Sequence, residues 1–218
     1  LTDITADLLL KAYAYGVFPM AKSRADDKVF WVQPKQRGVI PLEKFHVSRS
    51  MRKFLRRGDV TVSIDTAFAA VLEGCAEPKP GRQETWINAK IVELFTELHA
   101  AGFAHSIEVW RGPELVGGLY GLAMGAAFFG ESMFSRAENG SKTALCHLVG
   151  IMKRGGFTLL DTQFITDHLA RFGAVEIPQK DYLAQLGAAL SQQAHFGPPL
   201  PQRELDAVLF SQASTQIS

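Results

Sequence analysis

Residues 105–134 read HSIEVWRGPELVGGLYGLAMGAAFFGESMF. His105 to Trp110 alternates apolar with polar, and Arg111-Gly112-Pro113-Glu114 spells a turn. Leu115 to Leu122 and Ala126 to Phe134 follow as further strands, so the stretch predicts an antiparallel meander. Downstream, Ser141 opens a helix to about Arg154 that Gly155-Gly156 closes. Phe157 to Thr162 is mostly apolar, the mark of a strand buried on both faces. Short helices are expected near Thr166 to Phe172 and Lys180 to Leu190. From Ser191 the tail is polar and Pro-rich, an extended wrap or partly disordered.

Upstream, Asn88 caps an amphipathic helix whose Ile91, Leu94, Phe95 and Leu98 share a face. Glu77 to Gln83 is a Pro/Gly loop. Val60 to Ile64 alternates as a strand, and Asp65 is placed to cap a helix running to Cys75. Ser48 to Arg57 is another helix, and Thr5 to Tyr15 a short one ended by Gly16. Val17 to Gln36 is loop, with a short strand at Val29 to Val32 and a domain boundary near Pro34. The order is strand, two helices, three antiparallel strands, helix, strand, helix. That is an α+β fold with a mixed sheet, in the order of an acetyltransferase-like domain. Residues 1–36 would form a small N-terminal domain and residues 37–218 the larger one.

With 218 residues, 47% of them hydrophobic, the chain can bury a full core. No stretch approaches the roughly 20 apolar residues of a membrane helix, and Leu1 to Asp7 lacks the basic-then-apolar order of a secretory signal. Cys75 and Cys146 are isolated thiols, so a reducing compartment without disulfides is expected, which is the cytoplasm. His46, His99, His105, His147, His168 and His195 show no ligand spacing, so neither a metal nor a metal cofactor is expected. Net charge is only +1, yet Lys35 to Arg57 carries eight basic residues against Glu43 alone, which is +7 and leaves −6 for the rest. Such asymmetry suggests a polyanionic partner. Arg49, Arg52, Lys53, Arg56 and Arg57 fall on one helical face opposite Met51, Phe54 and Leu55. Such a stripe is either a solvated face or a surface for phosphates. Ordinary faces mix signs to limit repulsion, which favours phosphates here.

Three further features carry chemistry. Glu131 is an ionisable residue in an apolar strand, where alternation groups it with Phe129 and Met133, opposite Phe128, Gly130, Ser132 and Phe134. A carboxylate there is either structurally paired or kept for a cationic ligand. Asp161 and Gln163 end the buried strand, as a cap and turn or as site residues. Trp86 is a core anchor or a stacking plate for a base. His147 reads more readily as a core histidine than as a base.

Together these pieces resemble the leucyl/phenylalanyl-tRNA–protein transferases. The resemblance is carried by Gly16-Val17-Phe18-Pro19, Ser48-Arg49-Ser50, Thr85-Trp86-Ile87, residues 105–110 (HSIEVW) and 116–121 (VGGLYG), 129–135 (FGESMFS), 141–145 (SKTAL) and Asp161-Thr162-Gln163. It implies a small N-terminal domain before an acetyltransferase-like one. It also implies transfer of Leu or Phe from aminoacyl-tRNA to proteins bearing N-terminal Lys or Arg, marking them for N-degron degradation, by a monomer without a cofactor. By position, Glu131, Asp161 and Gln163 would be the catalytic residues. Leu119, Phe128, Gly130, Met133, Leu148 and Leu160 would form the pocket for the transferred side chain. Trp86 and Met20 would lie by the tRNA's terminal adenosine, and Arg49, Arg52, Lys53, Arg56 and Arg57 by the tRNA body. Met20 and Phe95 stand where better-known members of the family have Trp and Tyr.

The implied reaction is aminolysis of an ester, already activated, by an amine of pKa about 7.7–8.0. Positioning then supplies most of the rate. In this reading Gln163 holds the amine and Asp161 supplies negative charge as it becomes cationic. The competing readings are an acyl-CoA-dependent N-acetyltransferase and a non-catalytic RNA-binding module. The first lacks the Gly-rich pyrophosphate turn at residues 138–142, and the second leaves Glu131, Asp161 and Gln163 without a purpose.

Overall fold

The computed structural model describes residues 4–78 and 84–210, so the end of the expected Pro/Gly loop lies outside the described residues. The main sheet has seven strands: β3 (Gln36–Val39), β4 (Thr61–Ile64), β5 (Ala104–Arg111), β6 (Glu114–Met124), β7 (Ala127–Ser135), β8 (Leu159–Gln163) and β9 (Val175–Pro178). Their order is β4-β5-β6-β7-β8-β3-β9. Strands β5 to β7 form the expected meander, β4 pairs antiparallel with β5, and β8 runs parallel to β7. A parallel neighbour requires a crossover, and α5 (Gly140–Gly155) supplies it. This is the α+β mixed sheet expected from the sequence.

Helices cover both faces. One core holds Leu9 and Tyr13 of α1 (Ala6–Ala14), Val71 and Leu72 of α3 (Phe68–Ala76), Ile91 to Leu98 of α4 (Ala89–Ala100), and Tyr182 and Leu186 of α7 (Gln179–Leu190). The other holds Met51 and Leu55 of α2 (Arg49–Arg57), the buried side of α5, and Leu205 of α8 (Gln202–Phe210). A short helix, α6 (Asp167–Ala170), follows β8. A separate hairpin, β1 (Phe18–Ala21) with β2 (Val29–Val32), sits beside α1. Thr5, Ser48 and Asn88 each accept a hydrogen bond from a first-turn amide, as their positions predict.

Several expectations are corrected. Asp65 caps no helix: it lies in the left-handed region at φ 57°, and its carboxylate accepts from the Ser106 amide and the His105 ring. Helix α3 begins later and lacks a side-chain cap. Strand β1 stands where loop was expected, and β3 and β9 where no element was expected. The polar tail is extended only to about Pro201, and then forms α8, whose Leu205 is fully buried.

A cleft of apolar walls with one polar end

The functional residues cluster where β7 and β8 diverge past the N-terminal end of α5. A bulge creates the opening. Tyr120 pairs with Ser132 and Gly121 with Gly130, which leaves Glu131 as the extra residue of β7. Only glycine fits at 121, since any Cβ would strike the Phe129 carbonyl. The bulge also resets the alternation. Phe129 and Phe134 join the core under α1 and α3, while Phe128 and Met133 join the one under α5. The grouping of Glu131 and Phe129 with Met133 is therefore corrected: one inserted residue reverses the parity beyond it.

Strand β8 ends on Gln163, a non-glycine residue at φ 57°. That conformation costs roughly 1–2 kcal/mol and persists only where its surroundings impose it. Two contacts do so. The Gln163 amide donates to Asp161 Oδ1 at 2.8 Å, and Gln163 pairs with Gly38 of β3. At Gly38 a Cβ would lie 2.6 Å from the Phe164 carbonyl carbon, so the turn closes over a glycine. The side chain is held as well, by Nε2 donating to Glu131 Oε1 at 3.4 Å. Tyr13 on α1 donates to the same oxygen at 2.7 Å. Burial pushes the Glu131 carboxyl up to about 8, with the Asp161 charge adding to the rise and the Tyr13 bond and Arg37 opposing it.

Behind this pair lies Arg37, on β3. Its Nε donates to Asp161 Oδ1 at 2.9 Å, its Nη2 to Oδ2 at 2.6 Å, and its Nη1 to the Gly16 carbonyl at 2.9 Å. The guanidinium lies over the Phe18 and Tyr182 rings, 4.7 and 4.5 Å from their centroids. Tyr182 donates to Asp161 Oδ2 at 2.6 Å, and burial first, then the Asp161 charge, drive its phenol far up, so it stays a donor. Asp161 is 0% exposed and Arg37 1%. This corrects two expectations. Asp161 does not face the cleft: its charge is neutralised by Arg37, and it reaches the polar end only through the Gln163 backbone. Arg37 is no part of a basic surface, because the interior takes it as a counterion.

The cleft has a volume of about 890 Å³, within the usual range of about 300–1,000 Å³ for ligand sites. Glu131 and Gln163 line its polar end. Leu119, Gly130, Met133, Leu148 and Leu160 line its apolar part, and Trp86 and Met20 another wall. Phe128 is the exception: it is fully buried, stacked on Phe196 of the tail at 5.4 Å between centroids, behind the cleft. Sequence reading missed Phe18, Tyr120, Leu145, Phe164 and His168, which also line the cleft. It missed Tyr13, Arg37 and Tyr182 behind it as well. His147 is buried and burial lowers its pKa to about 4, so it is a neutral core histidine. Among the described residues, no group of three or more His, Cys, Asp or Glu could hold a metal ion. Likewise, no helix among them is long and apolar enough to cross a membrane.

Helix α2 presents its basic face as expected, but α8 covers part of it. Arg56 Nε pairs with Asp206 at 2.7 Å, and Arg52 lies 3.9 Å over the Phe210 ring. The five-charge stripe is thereby reduced. Arg49, Lys53 and Arg57 remain exposed, with no ion pair among the described residues.

Residues 39–187 match the family model described as leucyl/phenylalanyl-tRNA protein transferase, and residues 2–35 match that family's N-terminal domain. The chain belongs to the leucyl/phenylalanyl-tRNA–protein transferases. It is 58% identical to the member from Rhodospirillum rubrum over 91% of this chain and 93% of that one. With the member from Paramagnetospirillum magneticum the identity is 57%, over 88% and 92%. Among solved structures, FemX aligns with a TM-score of 0.48 and 14% identity, over 79% of this chain and 66% of that one. The chain is thus an enzyme, an aminoacyltransferase that works on aminoacyl-tRNA and protein.

Proposed function

We propose that the chain takes Leu or Phe from the 3′ ribose of its tRNA and joins it to the α-amine of proteins beginning with Lys or Arg. The product is marked for degradation by the N-degron route, and the enzyme works in the cytoplasm as a monomer without a cofactor. We further read residues 1–36 as the small domain and 37–218 as the transfer domain. The observation that carries the proposal is the Gln163–Glu131 pair at the polar end of a cleft to which Leu119, Met133, Leu148 and Leu160 give an apolar wall. Such a wall suits a long apolar side chain.

The amine nitrogen attacks the ester carbonyl carbon, the C–N bond forms, the C–O bond to the ribose breaks, and one proton passes from nitrogen to the departing oxygen. Gln163, with Nε2 turned to Glu131, is left with its amide oxygen to receive the amine's N–H. Glu131 orients Gln163. Its pKa of about 8 is close to that of an α-amine, about 7.7–8.0, so a proton moves between them at little cost. Asp161 is a positioning residue that imposes the Gln163 turn, and Trp86 and Met20 flank the terminal adenosine. Arg49, Lys53 and Arg57 face the tRNA body, with Arg52 and Arg56 shared with α8.

The test is incubation with Leu-tRNA, Phe-tRNA or acetyl-CoA and a peptide beginning with Arg. Mass spectrometry should find one added Leu or Phe residue at the peptide's N-terminus. Acetylation alone would overturn the proposal.

A further inference from the structure

The β1–β2 hairpin carries an aromatic side chain that neither the core nor the cleft uses. Phe30 is 42% exposed. It pairs directly with Met20, and Val32 pairs with Phe18. Directly opposed residues of an antiparallel pair project from the same face, with Cβ atoms about 4.5–5.5 Å apart. Phe18 and Met20 both line the cleft, so Phe30 lies on the cleft-side face of the hairpin, one strand further out.

The hairpin is fastened to the cleft wall. The Ala21 amide donates to the Trp86 carbonyl at 3.3 Å, and Asn88 Nδ2 to the Asp26 carbonyl at 2.7 Å. Strand β1 runs from Phe18, whose ring meets Phe164 edge-on at 5.7 Å beside Gln163, to Ala21 beside Trp86. The surface therefore leads from the reacting end past Trp86 and Met20, and across to Phe30. Lys22 and Lys28, at the two ends of the hairpin loop, are exposed and make no ion pair among the described residues.

The donor of the proposed reaction ends in a single strand, whose last nucleoside the proposal above sets beside Trp86 and Met20. We infer that Phe30 is a second stacking station, taking the base next to the terminal adenosine as the strand leaves the cleft. The inference rests on the proposed placement of the adenosine at Trp86 and Met20. Base–aromatic stacking suits a position read without hydrogen bonds, since every base has a π-face. The lysines flank the hairpin where the intervening phosphate would emerge.

Two donors separate this station from the rest of the site: 3′-O-phenylalanyl-adenosine, and the dinucleotide phenylalanyl-CpA. In the unaltered protein the dinucleotide should show the lower KM. Phe30→Ala should raise KM for the dinucleotide and for Phe-tRNA by about tenfold, the scale of one lost stack. It should leave turnover on phenylalanyl-adenosine unchanged, which is also the control for folding. Phe30→Trp should keep the dinucleotide's advantage, and Phe30→Leu, which keeps apolar bulk, should lose most of it. Equal loss on both donors, or no loss on either, overturns the inference. Absence of transfer even from Phe-tRNA by the unaltered protein would instead overturn the functional proposal.

Discussion

Arg37→Met probes the buried network most directly. The substitution removes the guanidinium's bonds to both Asp161 oxygens and to Gly16, and its two ring contacts. Among the described residues, it leaves a carboxylate that is 0% exposed with Tyr182 and the Gln163 amide as its donors. Removing one partner of a buried pair costs about 3–5 kcal/mol, because the other charge stays buried. That is a large part of a typical total of about 5–15 kcal/mol. At about 2–4 °C per kcal/mol for a chain of this size, the thermal midpoint should fall by roughly 6–20 °C. Adding Asp161→Asn removes the stranded charge and keeps an oxygen for the Gln163 amide. The double variant should therefore regain most of the loss. Urea denaturation followed by circular dichroism measures both, and transfer from Phe-tRNA measured on the same samples tests the site. If Asp161 acts by holding the Gln163 turn, the double variant transfers better than Asp161→Ala. A single variant losing under about 1 kcal/mol, or a double variant less stable than the single, refutes the counterion argument.

Gln163→Ala should cut turnover by about 10²-fold or more, the scale for losing a transition-state partner, with binding of Phe-tRNA little changed in a filter assay. Gln163→Gly should be equally inactive yet more stable than Gln163→Ala by about 1 kcal/mol, because glycine adopts φ 57° without strain; equal melting temperatures would count against a strained turn. Glu131 binds its proton more tightly folded than unfolded, so stability should fall as pH rises toward about 8. His147, depressed to about 4, acts oppositely, its contribution being lost as pH falls through about 6.5 to 4. The window from about pH 6.5 to 8 therefore isolates Glu131, and Glu131→Gln should abolish the decline there, as thermal melts across that window will show. Arg49→Ala with Lys53→Ala should flatten the slope of log tRNA affinity against log salt by somewhat under one unit per lost contact. Arg52→Ala with Arg56→Ala should lower stability as well, by freeing α8, and a melting temperature unchanged by that pair would show that α8 does not depend on them.

The sequence made local order legible and left distant pairing hidden. Asn88 with Ile91, Leu94, Phe95 and Leu98 announces α4 through caps and periodicity alone. The strand at Gln36–Val39 announces nothing, being four residues long with a glycine inside. Its status comes from β8 and β9, more than a hundred residues away. Arg37 reads as one more surface cation until Asp161 is placed beside it. The bulge at Glu131 has no local signature either, since it depends on which residues of β6 lie opposite. Glu131, Asp161 and Gln163 were visible as polar residues in apolar strands, a conflict that often marks function. Their division of labour was not, because burial of Asp161 follows from β3, α7 and the Gly16 carbonyl together. Phe128 was grouped with Phe134, whereas the bulge sets it with Met133, and its depth depends on Phe196, in a tail that read as an extended wrap or partly disordered.

The position of β3 also bears on how the enzyme comes into being on a ribosome. Its strand is made early, yet both its neighbours, β8 and β9, are among the last parts of the sheet to be synthesised. Until they emerge, Arg37 has no carboxylate to meet, Gly38 has no turn to close against, and the edge of β7 stays bare. Such long-range closure is slow, and bare strand edges invite aggregation. A chain that stops before residue 161 holds the strands of the meander and α4 but lacks Asp161 and Gln163, and with them the turn proposed to hold the amine. The oldest strand of the main sheet is sealed only by the two youngest.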